Sequence, residues 1–384
     1  CPSYMVTREE MHSTRGRARL LFEMLQGDTL RDGWRSDAVK EALDLCLACK
    51  GCKSECPTQV DMATYKAEFL SHYYAGRLRP ITAYTLGWIY WWARLASRAP
   101  GPVNLSLQNP VSGRVAKRLA GVSQKRRIPT FATETFTRWM QQRRPGTGSP
   151  VLLWPDTFTN FFHPDIACAA VEVLEAAGFQ VTIPNRPLCC GRPLYDYGFL
   201  GRARKLLTQI MDALEPQINA GVPLIGLEPS CVAVFRDELL ALFPHDERAH
   251  RLSQQSFLLS EFLEQQEYKP PSLTGRAVIH GHCHHKAVMG MEAEMAILRR
   301  LGLDATVLDS GCCGMAGAFG FEREHYDVSV ACGERVLLPA MRQVPEDTLI
   351  IADGFSCREQ ISQTIDRSPL HLAQVLRMAL AAGQ

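Results

Sequence analysis

The stretch Leu174–Gly191, LEAAGFQVTIPNRPLCCG, returns as LRRLGLDATVLDSGCCG at Leu298–Gly314, and this repetition decides the fold. Outward from it, VLLWPDT at 151 pairs with AVIHGHC at 277, and IGLEPSC at 225 with IIADGFSC at 350. Each half opens with a short apolar run, continues as an amphipathic helix, returns as a strand, turns at Cys-Cys-Gly and ends as a strand running into a cysteine. Strands alternating with helices predict parallel α/β units joined by right-handed crossovers. Sites then fall beyond the carboxyl ends of the strands, where these cysteines stand. A period of about 125 residues means two related domains, not a solenoid.

The second half holds Cys283, Cys312, Cys313 and Cys357. Adjacent side chains on a strand point to opposite faces, so both thiols of a Cys-Cys pair reach one centre only where the backbone bends. Gly311 and Gly314 flank the pair and permit that bend. Four thiolates at three strand ends then complete a cluster. The first half keeps Cys189, Cys190 and Cys231, but Thr157 replaces the first cysteine. Three thiolates leave three outcomes open: an incomplete cluster, a zinc with His163 or Asp156 as fourth ligand, or no metal. His282, His284 and His285 surround Cys283, and each is expected as a polar neighbour, with ligation or a hydrogen bond to a cluster sulfur as the alternative. Cys168 and Cys332 fall on helices without partners and are expected as core thiols.

The chain has 384 residues, 46% hydrophobic and 21% charged, which is ordinary globular composition and excludes a disordered tail protein. Fourteen cysteines are too sparse for a disulfide scaffold and too clustered for scattered thiols. No apolar run reaches the roughly 18 residues of a membrane-spanning helix. No signal peptide opens the chain, and the expected setting is a reducing compartment. Because it starts at Cys1, the chain reads as a part of something longer.

Ahead of the repeats stands CLACKGCKSECP, residues 46–57. Cys46, Cys49, Cys52 and Cys56, followed by Pro57, have the bacterial-ferredoxin spacing of a [4Fe–4S] cluster. Soft anionic thiolates suit sulfide-bridged iron, and the short gaps let three ligands wrap one face of a cube. The fourth cysteine of such a run serves the other cluster in two-cluster ferredoxins. Cys1 precedes Pro2 as Cys56 precedes Pro57, so the retained cube is expected on Cys46, Cys49, Cys52 and Cys1. A zinc ribbon wants two separated pairs instead. Ser36 and Asp61 are candidate caps for the helices on either side. Arg15, Arg17 and Arg19 follow Cys1; facing a cluster they would stabilise its reduced state, and otherwise they form a solvated helix face.

Between residues 77 and 144 thirteen Lys and Arg face one acid, Glu134, in a chain of net charge +2. Trp88, Trp91, Trp92 and Trp139 sit here too. Pro100, Gly101 and Pro102 are read as a break, giving a helix and then a looser basic linker. Trp88, Tyr90, Trp91 and Trp92 with Arg77, Arg79, Arg94 and Arg98 have the pattern of an interfacial helix. Three uses stay open: peripheral membrane docking through residues 77–98 to reach quinone, contact with a further domain, or plain packing. Nucleic acid is not expected, since no recognition fold accompanies the charge.

On these residues the chain resembles a known family. Its Cys-Cys-Gly repeats are similar to the cysteine-rich (CCG) domains found in heterodisulfide reductase and in the iron–sulfur component of glycolate oxidase. CPSYMVTREEMHSTRGRARLLFEML at 1–25, followed by the ferredoxin run, resembles the carboxyl-terminal half of FAD-linked oxidases of the D-lactate and D-2-hydroxyglutarate dehydrogenase type. The resemblance implies α + α/β architecture: a helical ferredoxin-like domain (1–79), a basic aromatic helix and linker (80–150), then two repeated α/β CCG domains (151–275 and 276–384). It implies an upstream FAD domain on the same polypeptide that removes hydride from a 2-hydroxy acid. Electrons then pass through clusters on Cys1, Cys46, Cys49, Cys52 and Cys56, and on Cys283, Cys312, Cys313 and Cys357, to quinone or another carrier. The implied location is cytoplasmic, with a peripheral membrane contact as the alternative. Metal at Cys189, Cys190 and Cys231 would be a cluster or zinc. The family motif can end in Cys-x-x-Cys, whereas Glu228 and Gly354 occupy the first of those positions here. That departure argues against the alternative of a heterodisulfide-type reductase; a zinc-stabilised docking platform is the other alternative. The lack of a Gly-rich dinucleotide fingerprint fits a flavin bound elsewhere.

Overall fold

A computed structural model of the chain describes residues 1–144 and 146–383. The first 74 residues form short helices whose starts follow local chemistry. Ser13, Ser36 and Asp61 each cap a helix by accepting a backbone N–H, from Gly16, Val39 and Thr64. Helices Thr14–Gln26, Asp37–Asp44 and Met62–Tyr73 enclose Met24, Val39, Leu43, Met62 and Phe69, and Cys46 closes this small core.

Residues 80–144 differ from the expected helix and linker. They fold as helices Ile81–Thr85, Ile89–Ala96, Pro100–Gln108, Pro110–Ala120 and Phe136–Gln141. Pro100 and Pro110 do not break the chain; each stands in the first turn of a helix, where a missing N–H costs nothing. Asn109 caps the second of these by accepting from Val111 and Ser112. Trp88 and Trp91 turn inward onto the first repeat, where Trp88 packs against Phe199. Arg79 donates to the carbonyls of Tyr197 and Gly198 and stacks over Phe199. Buried Arg126 donates to Gly320 and Ser329 of the second repeat. Much of the basic, aromatic segment is therefore a brace across both repeats. Its outward apolar residues are Trp92 and Leu95, then Leu105, Val111, Val115 and Leu119 on the next two helices.

From Ser149 two parallel sheets follow. The first has strand order β2-β1-β3-β4, with β1 Ser149–Leu153, β2 Phe179–Thr182, β3 Leu224–Gly226 and β4 Ser256–Leu258. The second has order β6-β5-β7, with β5 Gly275–Ile279, β6 Leu303–Val307 and β7 Leu349–Ile351. Val151 lies opposite Val181, and Ala277 opposite Ala305, so the two registers correspond. A parallel bridge from Ile351 to Leu370 stands where β4 stands in the first sheet. The helix after each of these edges, Leu259–Gln265 or Leu372–Ala382, also corresponds. One continuous core joins the halves, running from Val151, Leu153 and Ile166 through Phe262 to Ile279, Ile297, Ile351 and Leu376. The two repeats therefore pack as one body, not as beads. No helix among the described residues is long and apolar enough to cross a membrane.

Candidate metal centres

All fourteen cysteines are free thiols. The loop Cys46–Cys52 is the tightest piece of backbone in the ferredoxin region, with Ala48 and Lys50 both at positive φ (48° and 59°). Non-glycine residues hold that conformation only when their surroundings fix it. Here the surroundings are explicit. The Ala48 carbonyl accepts from His284 Nε2 at 2.9 Å and from Arg192 at 3.4 Å. Lys50, 1% exposed, places its ammonium 2.5 Å from Asp237 and 3.0 Å from Glu238, and Lys53 reaches Asp237 at 2.5 Å. Arg192 meets Glu238 at 2.5 Å. A buried ionic network thus pins the loop to both repeats.

Arg17 is 1% exposed and lies at the middle of the first thiol set. It donates to Cys1 Sγ at 3.0 Å, to Ser3 Oγ and to the Ala42 carbonyl. Burial lowers its pKa, and the sulfurs of Cys46, Cys49 and Cys52 oppose that shift, so all four cysteines surround one guanidinium. Arg15 and Arg19 point outward to Glu10 and Glu23. Cys56 stands apart on the surface side, where Thr58 and nearby backbone amides lower its pKa. Four converging thiols next to a buried cation fit an anionic iron–sulfur cluster.

In the second repeat the ends of β5, β6 and β7 bring Cys283, Cys312, Cys313 and Cys357 together. Hydrogen bonds run from sulfur to sulfur: they pull Cys283 and Cys313 down and push Cys312 and Cys357 up, so adjacent thiols share protons. Gly314 supplies the bend (φ +88°); a Cβ there would overlap the Ser329 carbonyl. Thiols packed this closely, with one another as principal partners, fit a metal centre. His280 joins them, a residue not expected from the sequence although it opens the run HGHCHHK. One ring nitrogen lies within 4.8 Å of Cys313 and Cys357, while Nδ1 is held by Ser310 at 2.6 Å. His282 and His284 line the neighbouring cavity, and His285 pairs with buried Glu294 at 3.3 Å.

The first repeat gathers Cys190 and Cys231, 3.0 Å apart, with Cys189 beside them and Thr157 Oγ1 at 3.9 Å from Cys189. Asp156 is fully buried near Cys231. Burial and the charge of Glu228 raise its pKa to about 6, but its oxygens are taken as a helix cap for Phe158 and Thr159. His163 is not brought to these thiols; it faces Glu359 at 3.5 Å. Cys168 and Cys332 lie on helices, their pKa values pushed up to about 12 by burial, and Cys332 packs beside Cys312.

Between the repeats lies a cavity of about 340 Å³. Cys189, Cys190 and Cys231 line it from one side and Cys283 from the other, with Leu47 and Ala48 of the ferredoxin loop between. Cys49, Cys283 and Cys312 share one apolar cluster with Leu47, so the ferredoxin thiols adjoin those of the second repeat. Cys283 in turn raises the pKa of Cys49, after burial the largest cause.

A family model described as a 4Fe-4S dicluster domain matches residues 1–61, and one described as a cysteine-rich domain matches residues 157–236. The chain is similar to D-2-hydroxyglutarate dehydrogenase of Escherichia coli, 27% identical over 428 residues, covering 98% of this chain and 41% of that protein. It is 29% identical over 270 residues to one subunit of the anaerobic glycerol-3-phosphate dehydrogenase of Escherichia coli, covering 68% of this chain and 67% of that one. Lactate utilization protein A of Bacillus velezensis is 28% identical over 247 residues, 59% of this chain and 98% of its own. The chain spans about two fifths of the length of the D-2-hydroxyglutarate dehydrogenases that it matches. A 4Fe-4S dicluster domain and a cysteine-rich domain therefore stand in one iron–sulfur oxidoreductase chain, similar along nearly all of its length to part of the D-2-hydroxyglutarate dehydrogenases.

Proposed function

We propose that this chain is the electron-transfer portion of an FAD-linked 2-hydroxyacid dehydrogenase. A flavin domain on the same polypeptide removes hydride from the substrate, and the electrons leave singly through this chain for an acceptor such as quinone. The observation that carries the reading is the apposition of Cys49 and Cys283 in one buried apolar cluster with Leu47. Bound at the thiolates of Cys1, Cys46, Cys49 and Cys52, and at Cys283, Cys312, Cys313 and Cys357, [4Fe–4S] clusters supply one-electron carriage.

The protein's own residues supply the rest. Leu47 and Phe319 keep water from the space between the two thiol sets. Arg17 offsets negative charge at the first set, and the Lys50 network fixes its distance from the second. The cavity between the repeats is mostly apolar at its outer end, where Trp92, Leu107, Ile128 and Phe131 line it, which suits a lipophilic acceptor. The proposed setting is cytoplasmic, with the exposed apolar helices after Trp92 peripheral to a membrane.

The test is iron, acid-labile sulfide and zinc per chain on anaerobically purified protein, with EPR after dithionite. About eight irons per chain fit the relay. About four irons with one zinc leave the ferredoxin centre alone and make the repeats structural. No iron under strict anaerobic handling overturns the reading. In the full-length protein, reduction of the clusters by a 2-hydroxy acid must require the flavin.

A further inference from the structure

A second cavity, about 310 Å³, lies on the other side of the helix Ile89–Ala96. That helix, the segment from Thr133 to Gln141 and the loop from Ile183 to Leu188 enclose it. Four arginines line it, Arg94, Arg98, Arg138 and Arg186, and no carboxylate does. The chain has no acid at all between Glu68 and Glu134. Neighbouring Arg143 is paired with Glu175 and Arg192 with Glu238, whereas these four have no carboxylate partner among the described residues.

The convergence follows from the helix. Tyr90, Arg94 and Arg98 are spaced by four and fall on one face, and Arg94 rests over the Tyr90 ring at 5.4 Å from its centroid. Arg186 reaches in from the loop, steadied by one hydrogen bond to the Gln209 carbonyl at 2.9 Å. A guanidinium does not deprotonate in proteins, so the mutual repulsion of four is relieved only by a bound anion. Its planar fork matches the oxygens of a phosphate group, and the hydroxyls of Thr133 and Thr137 in the wall add further donors.

We infer that this cavity binds a phosphate-bearing anion. The chemistry is shared by a soluble phosphate ester and a phospholipid headgroup. Leu95 on the same helix is 54% exposed, which makes the lipid source worth its own arm in the test.

The test uses the intact, iron-loaded chain at physiological ionic strength. Inorganic phosphate is titrated calorimetrically, and vesicles of equal parts phosphatidylglycerol and phosphatidylcholine are used in a flotation assay. The variants are Arg94→Gln, Arg98→Gln and the double change, with exposed Arg114→Gln, outside the cavity, as control. Each cavity arginine removed should weaken binding about tenfold, while the control leaves it unchanged. Phosphate binding with that pattern supports a soluble ester; vesicle binding alone with that pattern supports a headgroup. Absence of both in the unaltered chain, or equal loss in the control, overturns the inference. Iron content is read separately, so failure here leaves the electron-transfer proposal untouched.

Discussion

Glu228 of the first repeat accepts the amide N–H of Phe355, in the second repeat, at 2.8 Å. Glu228 occupies the first position of the related Cys-x-x-Cys motif, and Phe355 directly follows Gly354, which occupies that position in the second half. The carboxylate is 3% exposed, and burial raises its pKa. Replacing it by alanine strands a buried N–H, which costs about 1–3 kcal/mol. Glu228→Ala should therefore lower the urea midpoint clearly. Glu228→Gln keeps an acceptor and should lose less, and equal losses would show that charge, not the hydrogen bond, matters there.

Gly354 has no room for a side chain, because a Cβ would run into the His282 ring. The departure from Cys-x-x-Cys in the second repeat thus has a steric cause. Gly354→Ala should destabilise by about 1–3 kcal/mol through overpacking, and His282→Ala in the same chain should recover part of that. Gly354→Cys should leave the iron content unchanged. A gain of iron would mean that the ring yields and a fifth thiolate enters.

The strands, the Cys-Cys-Gly bends and the first ferredoxin set are legible in the sequence because their residues carry strong local signals: period, glycine flanks and thiol spacing. Strand β4 and the Leu370 bridge are not, since three residues show no alternation to read. Proline at a helix start looks the same in sequence as proline at a break, so residues 80–144 pass for a helix and linker until their fold is seen. The meeting of Cys49 with Cys283 depends on Lys50, Arg192 and Ala48 finding partners in distant segments, and no local pattern encodes that. Of three arginines after Cys1, only the structure singles out Arg17.

Arg17 should tune the ferredoxin centre. Its guanidinium donates to Cys1 Sγ from a fully buried position, so it favours the more negative, reduced state. Loss of one charge-assisted hydrogen bond, weighted toward that state, corresponds to a fall of about 50 mV in Arg17→Gln. Arg17→Lys keeps the charge but not the fork, and its fall should be smaller. An EPR-monitored redox titration reads both. An unchanged midpoint potential in Arg17→Gln would make the residue a packing element only.

His325 ties the second repeat to the ferredoxin region, lying 2.9 Å from Asp44 and 2.6 Å from Glu322 while stacked on Phe319. Burial alone would lower its pKa, but hydrogen bonds to Asp44 and Glu322 override that and raise it from 6.5 to about 9. A raised histidine stabilises the fold fully below 6.5 and loses that contribution as pH climbs through about 9. For Asp44 burial is again opposed, and the bond from His325 brings its pKa from 3.8 down to about 2. Its contribution is complete above 3.8 and lost as pH falls through about 2. Thermal stability should therefore form a plateau between these limits and decline by a few degrees on the alkaline side between pH 7 and about 9. His325→Gln removes the titrating group, so its midpoint should start lower at pH 6 and converge with that of the unaltered chain near pH 9 to 10. Parallel curves for the two proteins across that range would show that the alkaline loss arises elsewhere.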